Sequence, residues 1–137
     1  FFDTVLSYCV IMDVFDVNST VKEMARVLKS GGEAHVAMVQ TLYNLFFNDK
    51  KAQSEPLNKR LERYLKNEHL EVDTVPGFAH FVVYRRPPSF YINMFIQNGL
   101  EIKKMIEVPI NEKMSNDPKY AARMNAPVFM YFILHKL

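Results

Sequence analysis

EMARVLKSGGEAHVAMV, residues 23–39, changes its periodicity across two glycines, and that change decides how the chain is read. Before the glycines, Val21, Met24, Ala25 and Leu28 recur at the spacing of one helix face, with Lys22, Glu23, Arg26 and Lys29 opposite. This predicts an amphipathic surface helix. Asp16, Asn18, Ser19 and Thr20 precede it, any of which can cap the free amides, and Thr20 with Glu23 has capping-box spacing. Gly31 suits the left-handed residue that closes a helix, while Arg26 and Lys29 lie where cations favour the negative end of the dipole. After the glycines, Ala34, Val36 and Met38 alternate with His35, Ala37 and Val39. Both sets are mostly apolar, which predicts a strand covered on both faces.

Upstream, TVLSYCVIM at residues 4–12 is nearly continuous in apolar and β-favouring residues, too short for a membrane span, and predicts a buried strand. Strand, loop, helix, glycine turn and strand in that order form a βαβ unit of a parallel sheet. Downstream, residues 41–85 open with TLYNLFF and continue through a charged helical stretch with Leu57, Leu61, Tyr64 and Leu65 on one face. They then pass Pro76-Gly77 to reach FAHFVVYRR, and the whole region reads as an insertion that covers something. PPSFYINMFIQNGLEI predicts a helix opened by Pro87 and Pro88, closed by Asn98-Gly99, with Ile92, Phe95 and Ile96 as its core stripe. Leu100, Ile102, Ile106 and Val108 then alternate with Glu101, Lys103, Met105 and Glu107, the pattern of a half-exposed strand. VFMYFIL, residues 128–134, is apolar on both faces and belongs inside the sheet. A hairpin whose last strand inserts between its partner and the parallel sheet accounts for that inversion.

The 137 residues, 49% hydrophobic, suffice for one core, and nothing divides them into two domains. A net charge of +2 is too small to point to nucleic acid or an acidic membrane surface. Cys9 is the only cysteine, so neither a disulfide framework nor a cysteine metal site is expected, and its apolar setting reads as an inert thiol. Without an apolar run of membrane-spanning length or a signal peptide, the default location is the cytoplasm.

FFDTVLSYCVIMDVFDVNSTVKEMARVLKSGGEAHVAMV, residues 1–39, resembles the second half of the class I S-adenosylmethionine-dependent methyltransferase core, in its small-molecule branch. Phe2-Asp3 stands at the family's strand opening, and Arg26-Val27-Leu28-Lys29-Ser30-Gly31-Gly32 at its turn, with Ser30 in place of the usual proline. YRRPPSFYINMFIQNGLEI is similar to the family's last helix and sixth strand, followed by an inserted antiparallel seventh. Most of residues 41–83 has no counterpart. The resemblance implies an α/β fold: a partial Rossmann-like sheet of the fourth to seventh strands, with helices on its faces. Residues 1–137 would be the C-terminal part of one methyltransferase domain, and 41–85 a substrate-side insertion or lid. The family's glycine-rich loop and acidic ribose partner have no match, so the chain reads as a fragment lacking the main cofactor-binding half and inactive alone.

Under the same resemblance Ser7, Tyr8 and Cys9 border the methionine part of S-adenosylmethionine, with Tyr8 the direct contact. Met12 and Asp13 fall where many relatives carry a histidine near the substrate, and Asp13 can accept a proton or bind an amine. His80, Tyr84 and Arg85 lie in the segment expected to close over the substrate, His80 as a base or a contact. His35 and His135 read as structural strand residues, and His69 as an exposed residue of a charged helix. The expected partner is a small-molecule substrate, with no nucleic acid, no membrane and no metal. Self-association is expected through the strand at residues 4–10. Two other classes remain open: a different nucleotide-binding α/β enzyme, and a non-catalytic module docking through Tyr43, Phe46 and Phe47.

Overall fold

The computed structural model describes residues 1–72, 81–110, 116–121 and 123–137. Strand β1 (Phe2–Tyr8) leads through a 3-10 turn (Ile11–Asp13) into helix α1 (Val17–Val27) and strand β2 (Leu28–Val39). Short helical segments follow: α2 (Thr41–Tyr43), a wide turn at Asn44–Asn48, α3 (Lys50–Gln53) and α4 (Leu57–Tyr64). Strands β3 (Glu68–Val72) and β4 (Phe81–Arg85), helix α5 (Pro88–Gln97) and strands β5 (Leu100–Pro109) and β6 (Pro127–Lys136) complete the described elements, with a short helix at Pro118–Ala121 before β6.

The main sheet runs β1-β2-β6-β5, with β1 and β2 parallel and both pairs of β6 antiparallel. The last strand therefore inserts between its hairpin partner and the parallel pair, as the inversion of burial in the sequence predicts. Helices α1 and α5 share one face of this sheet. Val17, Val21, Met24 and Ala25 of α1 and Tyr91 and Phe95 of α5 close over Ala34, Val36, Met38, Met130, Phe132 and Leu134. Phe95 meets Phe132 edge to face, with ring centroids 5.3 Å apart. Each Val, Leu, Met or Phe among them, removed from water, stabilises the fold by about 1.5–3 kcal/mol.

Asp16 is the residue that caps α1, its carboxylate accepting from the Ser19 amide at 2.9 Å. The helix ends at Val27, earlier than the glycines suggest, because Leu28 is already extended and pairs with Phe2. Thr4 then pairs with Glu33, so two steps along β1 correspond to five along β2. Gly31, at φ 78°, lets residues 29–32 bulge out of the ladder rather than close the helix.

Several expectations change for identifiable reasons. β1 is not a buried strand: it lies at the edge of the described sheet, half-buried at Val5 and Ser7, with Leu6 72% and Tyr8 64% exposed. On α5 the core stripe is Tyr91 and Phe95, while Ile96 faces solvent. An extra residue in β5 between Ile102 and Lys104 moves Ile106 and Val108 to the face opposite Leu100 and Ile102. His69 is exposed but sits in β3, not in a helix. The leucine stripe of α4 forms, yet Leu57, Leu61 and Leu65 stay exposed.

Candidate active site at the carboxyl ends of the parallel strands

Open α/β sheets bind ligands beyond the carboxyl ends of their parallel strands. At that end of β1 the backbone breaks sharply. Cys9 adopts φ 51°, a left-handed conformation that costs a non-glycine residue roughly 1–2 kcal/mol and tends to mark functional loops. Its amide still donates to the Ala37 carbonyl at 2.8 Å, and the chain then winds into the Ile11–Asp13 turn. Partial burial raises the Asp13 carboxyl above the usual aspartate range. Burial also raises the Cys9 thiol, with the Asp13 charge adding to it, so the thiol keeps its proton and is a poor nucleophile. Ser7 points to the same side as Val5, whereas Tyr8 lies on the other face and stacks on Phe129 at 6.4 Å.

The segment after β2 returns to this end, where β4 packs against the Ile11–Asp13 turn. Gln40 anchors it: its carboxamide oxygen accepts from the Leu42 amide at 2.5 Å and its nitrogen donates to Glu107 at 2.8 Å. The β3–β4 hairpin is fixed by ions. Arg85, fully buried, donates to Asp49 at 2.6 Å and pairs with Glu68. Arg63 joins both carboxylates from α4, at 3.5 Å and 2.9 Å, and reaches Glu55 at 3.4 Å. Asp49 also caps α3 through the Ala52 amide at 2.9 Å. Burial alone would raise the Asp49 carboxyl, but that amide and the Arg85 guanidinium outweigh it and hold the group below its ordinary value. Glu68 behaves alike: burial opposes ionisation, and Arg63 and Arg85 more than reverse it.

The neighbouring Arg86 turns the other way. It donates to the carbonyls of Val14 and Phe15 at 3.0 and 3.1 Å, and its guanidinium lies 4.4 Å from the Tyr84 ring centroid and 5.2 Å from that of Phe90. Its own carbonyl accepts from Thr41 at 2.7 Å. Arg86 thus ties the loop after β1, the start of the insertion and α5 into one wall. Between them lies a recess of about 10 Å³, with Met12, Thr41, Asn44, Tyr84, Arg86 and Tyr91 among its lining. Among the described residues, no group of three or more His, Cys, Asp and Glu is placed to hold a metal ion.

Residues 1–36 match the sequence family described as "Methyltransferase domain". No curated protein shows significant sequence similarity to the chain. Among solved structures, a Listeria monocytogenes protein assigned as an S-adenosylmethionine-dependent methyltransferase superposes on 99% of this chain and 62% of its own, with 18% identity and a TM-score of 0.73. An S-adenosylmethionine-dependent methyltransferase from Mesorhizobium loti covers 98% of this chain and 62% of its own, with 14% identity and a TM-score of 0.64. A third, from Methanosarcina mazei, covers 99% and 59%, with 15% identity and a TM-score of 0.64. The chain has the class I methyltransferase fold. It spans about three fifths of the length of these structures.

Within this methyltransferase fold the candidate residues separate into three places. Met12, Tyr84 and Arg85 line the recess, with Asp13 on the same turn as Met12. Ser7, Tyr8 and Cys9 lie along and just beyond the end of β1, on alternate faces. His80 lies outside the described residues. Tyr43 is buried, and the half-buried Phe46 and Phe47 engage Arg60 and Arg123 at 5.2 and 4.9 Å, so this aromatic cluster packs internally. Arg86 and Tyr91 were not singled out from the sequence. The signal was the Arg85-Arg86 pair at the end of β4: two adjacent buried cations, of which Arg85 closes the strand and Arg86 follows it.

Proposed function

We propose that this chain forms the substrate-side part of an enzyme that transfers a methyl group from S-adenosylmethionine to a small molecule. The observation that carries the reading is the sheet order β1-β2-β6-β5, with its last strand inserted antiparallel, beside a broken strand end at Cys9. The family match over residues 1–36 covers that strand end. Bound there, S-adenosylmethionine would supply an activated methyl group, leaving the protein to align the acceptor with it.

A recess of about 10 Å³ cannot hold such a cofactor, since sites for molecules of that size run to about 300 Å³ or more. The cofactor instead fits against the outer side of β1, where Tyr8 and Val10 are exposed and the ladder is unpaired among the described residues. In this reading Tyr8 offers its ring to the methionine part, with Ser7 and Cys9 bordering it. The recess, Met12, Asp13 and the insertion face the acceptor. Asp13, whose raised carboxyl lies nearer neutrality than an ordinary aspartate, can take a proton or receive an amine. Residues 41–85 act as the lid, held shut by the Asp49, Arg63, Glu68 and Arg85 network. The remaining walls of the cofactor site come from outside this chain. On its own, the free edge of β1 pairs with a second copy, because Leu6 and Val10 beside it are exposed and no proline or lysine of the strand blocks it.

Transfer of labelled methyl from S-adenosylmethionine by the full gene product, offered metabolite, RNA and protein fractions, tests the reading. Label in the small-molecule fraction is expected; label in RNA alone would overturn the substrate class, and no transfer would overturn the activity. Tyr8→Ala should weaken cofactor affinity with the fold intact, and unchanged affinity by calorimetry would assign Tyr8 to the sheet alone.

A further inference from the structure

Among the described residues, Arg86 is a buried cation without a carboxylate partner. The residue is 6% exposed, and arginine keeps its proton in proteins, so a cation is held almost entirely out of water. The Val14 and Phe15 carbonyls and the Tyr84 and Phe90 rings fix the plane of the guanidinium. None of them carries negative charge. Among the described residues no carboxylate pairs with it, and the buried Asp49 and half-buried Glu68 pair with Arg63 and Arg85. Its buried Nη1 has no hydrogen-bond partner among the described residues. Leaving a buried donor bare costs about 1–3 kcal/mol, and more when the group is charged.

The recess beside it has the complementary character. Its lining includes Met12, Thr41, Asn44, Tyr84 and Tyr91 but no acidic residue, and Arg85, which also borders it, is already neutralised. Its volume, about 10 Å³, is that of roughly one oxygen-sized probe. Burial raises the Tyr91 phenol, and a hydrogen bond from the Arg86 side chain together with its charge partly counters this, so the guanidinium lies against the phenol.

We propose that the recess receives one oxygen of a carboxylate carried by the methyl acceptor, with Arg86 Nη1 as its charge partner. The assignment rests on the methyl-transfer reading of this end of the sheet and narrows its substrate to a small carboxylic acid. A charge-assisted N–H···O bond is about twice as strong as a neutral one, and it satisfies the donor and the charge together. A water molecule would satisfy only the donor.

The test needs neither cofactor nor turnover. The isotope-labelled full gene product is titrated by NMR at constant ionic strength with acetate, with its neutral isostere acetamide, and with inorganic phosphate. Acetate should give saturable shifts at the Arg86 side chain, Thr41 and Tyr91, at least about tenfold stronger in apparent affinity than acetamide. Arg86→Lys, which keeps the charge but loses the fork, should weaken acetate by about tenfold or more. Should that variant fail to fold by circular dichroism, the wild-type comparison of acetate with acetamide decides alone. Equal responses to acetate and acetamide, or shifts confined to surface lysines, would overturn the proposal and leave water as the occupant. A response to phosphate about tenfold tighter than to acetate would overturn the carboxylate assignment. Failure here leaves the methyl-transfer reading standing, because that reading is decided by label transfer; failure there leaves the acetate result intact.

Discussion

Replacing Arg85 with leucine should loosen the insertion while sparing the main sheet. The guanidinium removed is fully buried, bonded to Asp49 at 2.6 Å and paired with Glu68. Breaking one partner out of a buried ion pair costs about 3–5 kcal/mol, because the other charge is left uncompensated. Here compensation is partial: Arg63 still lies 3.5 Å from Asp49 and 2.9 Å from Glu68. The lower end, about 3 kcal/mol, is therefore expected. The partners all lie within residues 49–85, so the loss should appear as local opening. Three kcal/mol corresponds to roughly a hundredfold faster native-state hydrogen exchange at the Ala52 amide and across the β3–β4 ladder. Val36 and Met38 amides should be unaffected. A change below about threefold, or equal acceleration at Val36, would refute the local ion-network account. Acidification supplies a second check. Asp49 and Glu68 are both held below their ordinary values, so their contribution is present above the unfolded carboxylate value, about 4, and is lost as pH falls through the folded one. Protection of the hairpin should decline over that window, and Arg85→Leu should flatten the decline.

Gly32→Ala should lower the urea midpoint more than Gly31→Ala. A Cβ at Gly32 would lie 3.0 Å from the Asp3 and Lys29 carbonyl oxygens, an overpacking cost of about 1–3 kcal/mol, whereas Gly31 has open space and only its φ of 78° to oppose substitution, about 1 kcal/mol. Phe95→Ala should cost about 3–5 kcal/mol in the same assay, and Ile96→Ala within about 0.5 kcal/mol; a reversed order would show that α5 is rotated on the sheet. Asp16→Ala should cost about 1 kcal/mol in thermal unfolding by freeing the Ser19 amide, and no loss would mean that another residue caps α1.

What the sequence made legible was periodicity over long, uninterrupted runs. The α1 stripe, the alternation of β2 and the doubly apolar β6 each repeat one spacing over several residues, and each forms, although Leu28 at the end of the stripe belongs to β2. Single-residue events were illegible. One extra residue in β5 reverses every side chain after it, and nothing in LEIKKMIEVP marks the position. β1 looked buried because its composition is apolar, although composition cannot say whether a strand has one neighbour or two. In the candidate site, the broken strand end at Cys9 depends on a backbone angle that its apolar surroundings do not announce. The division of labour between Arg85 and Arg86 depends on acids at positions 49 and 68, too far along the chain for spacing to connect them.

The inserted strand also sets an order of assembly. Among the described residues β5 has no neighbour in the main sheet except β6, and β6 joins the rest by pairing with β2, residue Glu33 opposite His135. Until β6 is made and closes that long loop, β5 has no strand to pair with, and Phe132 and Leu134 are missing from beneath α5. Closing a contact across so much chain is slow compared with forming the β1–α1–β2 unit. Nascent chains should therefore pass through a state in which α1 and β2 are ordered while α5 and β5 remain exposed, the interval in which this protein most needs protection from aggregation.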